Sequence, residues 1–123
     1  YFPSGSSSVT GLGDVAYLYV PTACASGIKC SVHVVFHGCN QDLESIGNVY
    51  VQNTGYLPWA ESNNIIVLFP QSKKAFLDNP NGCFNWFGYG SDSNYAFKTG
   101  LQMQTVYNMV QAIGSRQGPI FAN

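Results

Sequence analysis

Charge is scarce in this chain of 123 residues: Asp, Glu, Lys and Arg make up 9% of it, and the formal net charge is −1. An ordinary soluble domain carries about 25%. There is no basic cluster, which excludes nucleic acid as a partner, because phosphate binding needs Lys and Arg gathered on one face. No apolar run approaches the ~20 residues that a membrane-spanning helix requires. Neither a Cys-x-x-Cys pair nor a His-rich spacing is present, so no metal site is expected. Also missing is Gly-x-Ser-x-Gly, the sharp strand-to-helix turn that presents a nucleophilic serine.

What remains is a folding composition. Apolar residues reach 46% and aromatics 15%, which rules out intrinsic disorder. The length suits one α/β domain over 1–123, burying roughly two-thirds of the surface of its extended chain. Its polar residues are mostly Ser, Asn, Gln, Thr and Tyr, suited to a secreted, extracellular protein that meets neutral surfaces. The start, Tyr1-Phe2-Pro3 and then Gly and Ser, lacks the charged and apolar segments of a signal peptide and reads as a mature or trimmed end.

The four cysteines, Cys24, Cys30, Cys39 and Cys83, permit three pairings. Cys24 with Cys30 closes a short Gly-containing loop, worth ~2.4 kcal/mol by loop entropy; Cys39 with Cys83 then ties two distant loops, worth ~4 kcal/mol. Free buried thiols in a cytosolic protein are the alternative.

Along the chain, residues 1–13 are rich in Gly and Ser and read as loosely ordered. Residues 14–20 alternate as a strand and stop at Pro21. A loop over 21–31 leads to a second strand, 32–37, covered on both faces, and the two strands are expected to pair as a hairpin. Asp42 caps a helix through Val51, with Glu44 in its first turn. Beyond Gly55 a second helical piece carries Trp59, Ala60 and Glu61. The run 65–69 is a buried strand ended by Pro70, and strand–helix–strand makes it parallel to 32–37. Residues 70–97 form a long surface loop, ordered by its aromatics. A helix over 98–114 turns Met103, Val106, Val110 and Ile113 to one side, with Gly114 just past its end. Residues 115–123 begin no strand.

The most informative stretch is 33–41, where an apolar run opens straight into His37-Gly38-Cys39-Asn40-Gln41. Asn53-Thr54-Gly55-Tyr56, Trp59-Ala60, the run 65–70 with Gln71, and Asn79-Pro80-Asn81-Gly82-Cys83-Phe84-Asn85-Trp86 follow in that order. Together these segments resemble the polyhydroxybutyrate depolymerase branch of the α/β-hydrolase esterases. Tyr17 to Pro21 and Cys24-Ala25-Ser26-Gly27 are most similar to the fungal extracellular, circularly permuted form. The resemblance covers about 14–114 and implies the carboxy-terminal portion of such an enzyme. The fold it implies is a partial α/β-hydrolase-like three-layer sandwich, with a short, mostly parallel sheet and flanking helices.

The resemblance also implies roles. The Cys39 backbone N–H donates to the oxyanion of ester attack, braced by a Cys39–Cys83 bridge; the plainer reading leaves Cys39 as half of a structural disulfide. One such donor is worth about 3 kcal/mol. His37 and Gly38 are structural, the imidazole shaping the loop rather than serving as general base. Trp86 lies along the polyester or acyl chain, unless it is simply a core tryptophan. Phe84 (where the family usually has Trp), Asn85 and Tyr89 are further cleft residues. The reaction requires no cofactor.

The serine, histidine base and acid of nucleophilic ester hydrolysis cannot be assembled from this sequence. Ser91 follows no strand, and Asp78 and Asp92 have no histidine nearby. Three readings follow: a portion of a secreted polyester hydrolase, completed by an amino-terminal portion or by a second copy; a non-catalytic secreted binder of polymer or glycan; and a small toxin- or lectin-like protein on a reduced hydrolase scaffold. Under the first, the 65–69 strand lacks its neighbour, leaving an apolar edge bare, so the chain is not an isolated monomer.

Overall fold

The computed structural model describes residues 10–115. In order it contains β1 (Tyr17–Tyr19), α1 (Thr22–Ala25), β2 (Ser31–Val34), α2 (Leu43–Ile46), α3 (Val49–Asn53), α4 (Tyr56–Asn63), β3 (Ile65–Phe69) and α5 (Leu101–Ser115), with one 3-10 turn at Tyr89–Ser91. Residues 1–9 and 116–123 lie outside the described residues. Of the Gly/Ser-rich start, Thr10 and Leu12 are buried.

The sheet has the order β1-β3-β2. β3 is parallel to β2, with Ser31 opposite Ile65 and Val34 opposite Leu68. It is antiparallel to β1, with Tyr17 opposite Phe69. The parallel pair was expected; the hairpin is corrected, because β3 separates β1 from β2. The connection between those two strands is no tight turn. It holds the unforeseen α1, whose Cys24 is bonded to Cys30, and this carries the chain out of pairing range. The bare edge on 65–69 is corrected too: β3 is central, so the sheet's open edges are the outer sides of β1 and β2. The sheet is mixed, with one parallel and one antiparallel pair.

β3 is apolar throughout because both of its faces are covered. Ile66 and Leu68 pack with Cys24, Cys30, Met109 and Ile113 on the α5 side. Val67 and Phe69 pack with Val35, Val51 and Ala60 on the side of α3 and α4. Helices therefore cover both faces, giving the three layers of a partial α/β-hydrolase-like fold.

Asp42 caps α2 as anticipated, accepting from the Glu44 and Ser45 N–H groups. The single helix over 42–51 is split, because Gly47 takes φ 62° and ψ −135°, a conformation closed to other residues. α5 starts at Leu101 and runs through Gly114. Its start is set by Asp92, whose Oδ2 accepts the Leu101 N–H at 2.8 Å. Val106, Met109 and Ile113 are buried, whereas Met103 is exposed.

Candidate active site

Beyond β2 the chain continues as Val35, whose N–H donates to the Leu68 carbonyl, and then enters the His37-Gly38-Cys39 turn. His37 is buried, and both ring nitrogens are engaged: Nδ1 lies 2.7 Å from the Gly38 carbonyl, and Nε2 accepts the Ser72 N–H at 3.1 Å. An Nδ1–H tautomer satisfies both partners. The Gly38 N–H donates to Gln41 Oε1 at 2.7 Å. Tyr50 steadies the same corner from α3, donating to the Phe36 carbonyl. Burial, with a smaller contribution from Tyr56, raises the pKa of its phenol.

Cys39 is exposed and joined to Cys83 by a disulfide. Its neighbours' N–H groups are engaged: Gly38 donates to Gln41, and Asn40 donates to the Asn81 carbonyl at 2.6 Å. The Cys39 N–H has no acceptor among the described residues. A rigid amide at an exposed strand end, with its hydrogen free, is what an oxyanion donor requires.

The other half of the bridge sits in a densely bonded turn. Asn79 is buried; its Oδ1 accepts the Cys83 N–H, and its Nδ2 donates to the carbonyls of Cys83 and Lys73. Ser72 Oγ donates to the Gly82 carbonyl, so Ser72 touches His37 and this turn at once. Gly82 has φ +56°, and a Cβ built there would stand 2.6 Å from Asp42 Oδ2; only glycine lets the turn lie against the α2 cap. Sequence reasoning assigned no role to Asn79 or Ser72. The Asn-Pro-Asn-Gly signature that marks a turn was the available signal.

The proposed cleft residues divide. Trp86 is 70% exposed, stands edge-on to Phe87, and is no core tryptophan. Phe84 is half-buried, packed edge-on to Phe36 at 4.9 Å and against His37 at 4.7 Å. Tyr89 lies beneath the loop, 5% exposed, so its placement on a cleft wall is corrected. Its hydroxyl donates to the Cys83 carbonyl and accepts from Gln102 Nε2. Burial raises its pKa, against a smaller opposing effect of Gln102. The Asn85 side chain is also occupied, accepting from Gly88 and Tyr89 N–H and donating to the Tyr89 carbonyl, so it organises the loop.

A hollow of about 740 Å³ lies along α5 by Met103 and Tyr107, and one of about 520 Å³ is lined by His33, Tyr56 and Trp59 on the α4 side; neither reaches Cys39 or Cys83. A smaller one, about 180 Å³, is bounded by Phe36, Phe84, Asn85, Tyr95 and Met103. It adjoins Phe84 and Asn85, which directly follow Cys83. Among the described residues neither histidine bonds a serine hydroxyl or a carboxylate, and no cluster suited to a metal ion occurs.

A mixed sheet covered by helices on both faces, with one strand leading into a disulfide-held turn, defines a partial α/β-hydrolase-like protein. No protein-family model matches the chain. The polyhydroxybutyrate depolymerase of Talaromyces funiculosus is 44% identical over 124 residues, covering 91% of this chain and 36% of that protein. The poly(3-hydroxybutyrate) depolymerase of Delftia acidovorans is 42% identical over 110 residues, covering 88% of this chain and 22% of that one. The solved PHB depolymerase of Penicillium funiculosum superposes with a TM-score of 0.82 at 42% identity, over 85% of this chain and 36% of that chain. A PHB depolymerase complexed with an R3HB trimer superposes equally well. The chain is similar to these depolymerases over about nine-tenths of its own length, and it spans 36% or less of theirs.

Proposed function

We propose that this chain is one portion of a secreted carboxylic ester hydrolase of polyhydroxybutyrate depolymerase type. It supplies an oxyanion donor and part of the cleft; the nucleophile, base and orienting acid lie on the remaining portion. In that scheme a serine oxygen attacks the ester carbonyl carbon, and the base takes the serine proton. The carbonyl oxygen gains negative charge and accepts from the Cys39 N–H. Collapse breaks the ester bond, the alcohol leaves with the proton, and water later releases the acid. Trp86 and Phe84 lie along the acyl chain. Two disulfides support an extracellular, oxidising setting. The observation that carries the reading is the free N–H of Cys39, bridged to Cys83.

Reconstitution with the missing portion tests it. Alone, the chain turns over no R3HB trimer and takes no serine-directed fluorophosphonate label; together the two portions hydrolyse the trimer. Cys39→Pro removes the N–H and lowers kcat on the order of 10²–10³-fold beyond the loss in Cys39→Ala, which removes only the bridge. Trp86→Ala raises KM. Turnover with covalent labelling of this chain by itself overturns the reading.

The exposure of Trp86 also suits a second reading, a non-catalytic secreted binder of polymer or glycan. That one is favoured if the chain binds polymer while reconstitution yields no turnover.

A further inference from the structure

The turn that carries Cys39 is closed twice by Gln41. The Gln41 N–H donates to the Gly38 carbonyl at 3.3 Å, which makes Cys39 and Asn40 the central pair of a β-turn. Asn40 takes φ 57°, in the left-handed region that the third position of a type II turn requires. The Gln41 side chain folds back over the same turn, where Oε1 accepts the Gly38 N–H at 2.7 Å. That N–H can only donate, so the carbonyl end of the carboxamide faces it and Nε2 faces the other way. Nε2 has no acceptor among the described residues, and Gln41 is exposed. Gln71, Asn79, Asn85 and Gln102, the amides packed around the bridge, all donate to backbone carbonyls or to the Tyr89 hydroxyl. Asn40 and Asn81 make no side-chain hydrogen bond among the described residues, so nothing fixes their direction. Gln41 is held at one end and free at the other.

We propose that Gln41 Nε2 is a second hydrogen-bond donor to the oxygen that becomes negative during ester attack, acting beside the Cys39 N–H. The proposal rests on the ester-hydrolase reading above. The Gly38 and Cys39 N–H groups belong to adjacent peptide units, so a carboxamide locked to the first stands next to the second. An oxyanion has lone pairs for more than one donor, and a donor already in place needs no reorganisation when the charge forms. The lock to Gly38 supplies that placement. A Cβ built on Gly38 would stand 2.9 Å from Gln41 Oε1, so glycine at that position lets the carboxamide lie close against the turn. The amide is neutral, so it donates without adding a charge to a site that takes an uncharged ester.

The test is Gln41→Glu in the reconstituted protein, acting on soluble R3HB trimer. Glutamate has the same shape and still accepts the Gly38 N–H, so the thermal midpoint holds, but its carboxylate has no hydrogen to give. The expected result at neutral pH is a kcat at least about tenfold lower with KM little changed, because the bond is made only as charge develops. Protonation near the ordinary glutamate pKa of about 4.3 restores a donor, so the ratio of variant to parent kcat climbs toward one as the pH is lowered to about 4. A kcat equal to the parent's overturns the assignment. So does a deficit confined to KM, one that stays constant with pH, or one that tracks a fallen thermal midpoint. A parent that reconstitutes without turnover brings down the earlier reading instead, and this one with it.

Discussion

Asp42 feels two opposed influences. Burial raises its affinity for a proton, but hydrogen bonds to the carboxylate, led by the Ser45 side chain and N–H and joined by that of Glu44, outweigh it and leave the pKa below the ordinary 3.8. The unfolded chain therefore binds that proton more readily, so the contribution is complete above about pH 3.8 and vanishes as pH falls through the lower, folded value. Asp42→Ala is expected to cost about 1–2 kcal/mol at pH 7, and its difference from the parent shrinks below pH 3.8; urea midpoints at pH 7 and pH 3 measure both. At this scale the sequence was readable where a residue acts on its own neighbours. Asp42 sits directly before the helix it caps, and Cys39 follows its strand. Asp92, which caps α5 from nine residues back, and Asn85 and Tyr89, whose polar groups turn inward, were not readable. A polar or aromatic residue in a long loop looks the same whether it faces solvent or the loop's own backbone.

The elements separate on the same ground of locality. β3 was legible because burial on both faces leaves no polar position, and α5 because its apolar residues recur at the helical period. Strand partners were not legible: alternation in residues 14–20 says which side chains share a face, never which strand lies alongside. The split of α2 from α3 turned on Gly47, whose unusual backbone torsions leave no trace in apolar spacing. The energetic contrast between centre and edge is testable. Phe69→Ala, at a fully buried position of β3, is expected to cost about 3–5 kcal/mol. Leu18→Ala on β1, at a side chain already 40% exposed, costs about 1 kcal/mol. Denaturant unfolding of the two variants reads the difference.

For the molecule as a whole, the two bridges act over different lengths of chain. Cys39–Cys83 joins residues 44 apart in sequence and Cys24–Cys30 residues 6 apart, so loop entropy gives the first about 4 kcal/mol and the second about 2.4 kcal/mol. Double alanine variants of each pair should therefore differ in thermal midpoint, with the loss of Cys39–Cys83 producing the larger fall. The order of the strands has a consequence of its own. With both flanks of β3 taken, added polypeptide can extend the sheet only at its two margins, and only the β2 margin borders the run that ends at Cys39. A newcomer aligned there in the same direction as β2 brings its own terminus up to that amide. A hydrolytic centre divided between two polypeptides would thus meet across a seam of backbone hydrogen bonds, with neither half reaching over the other.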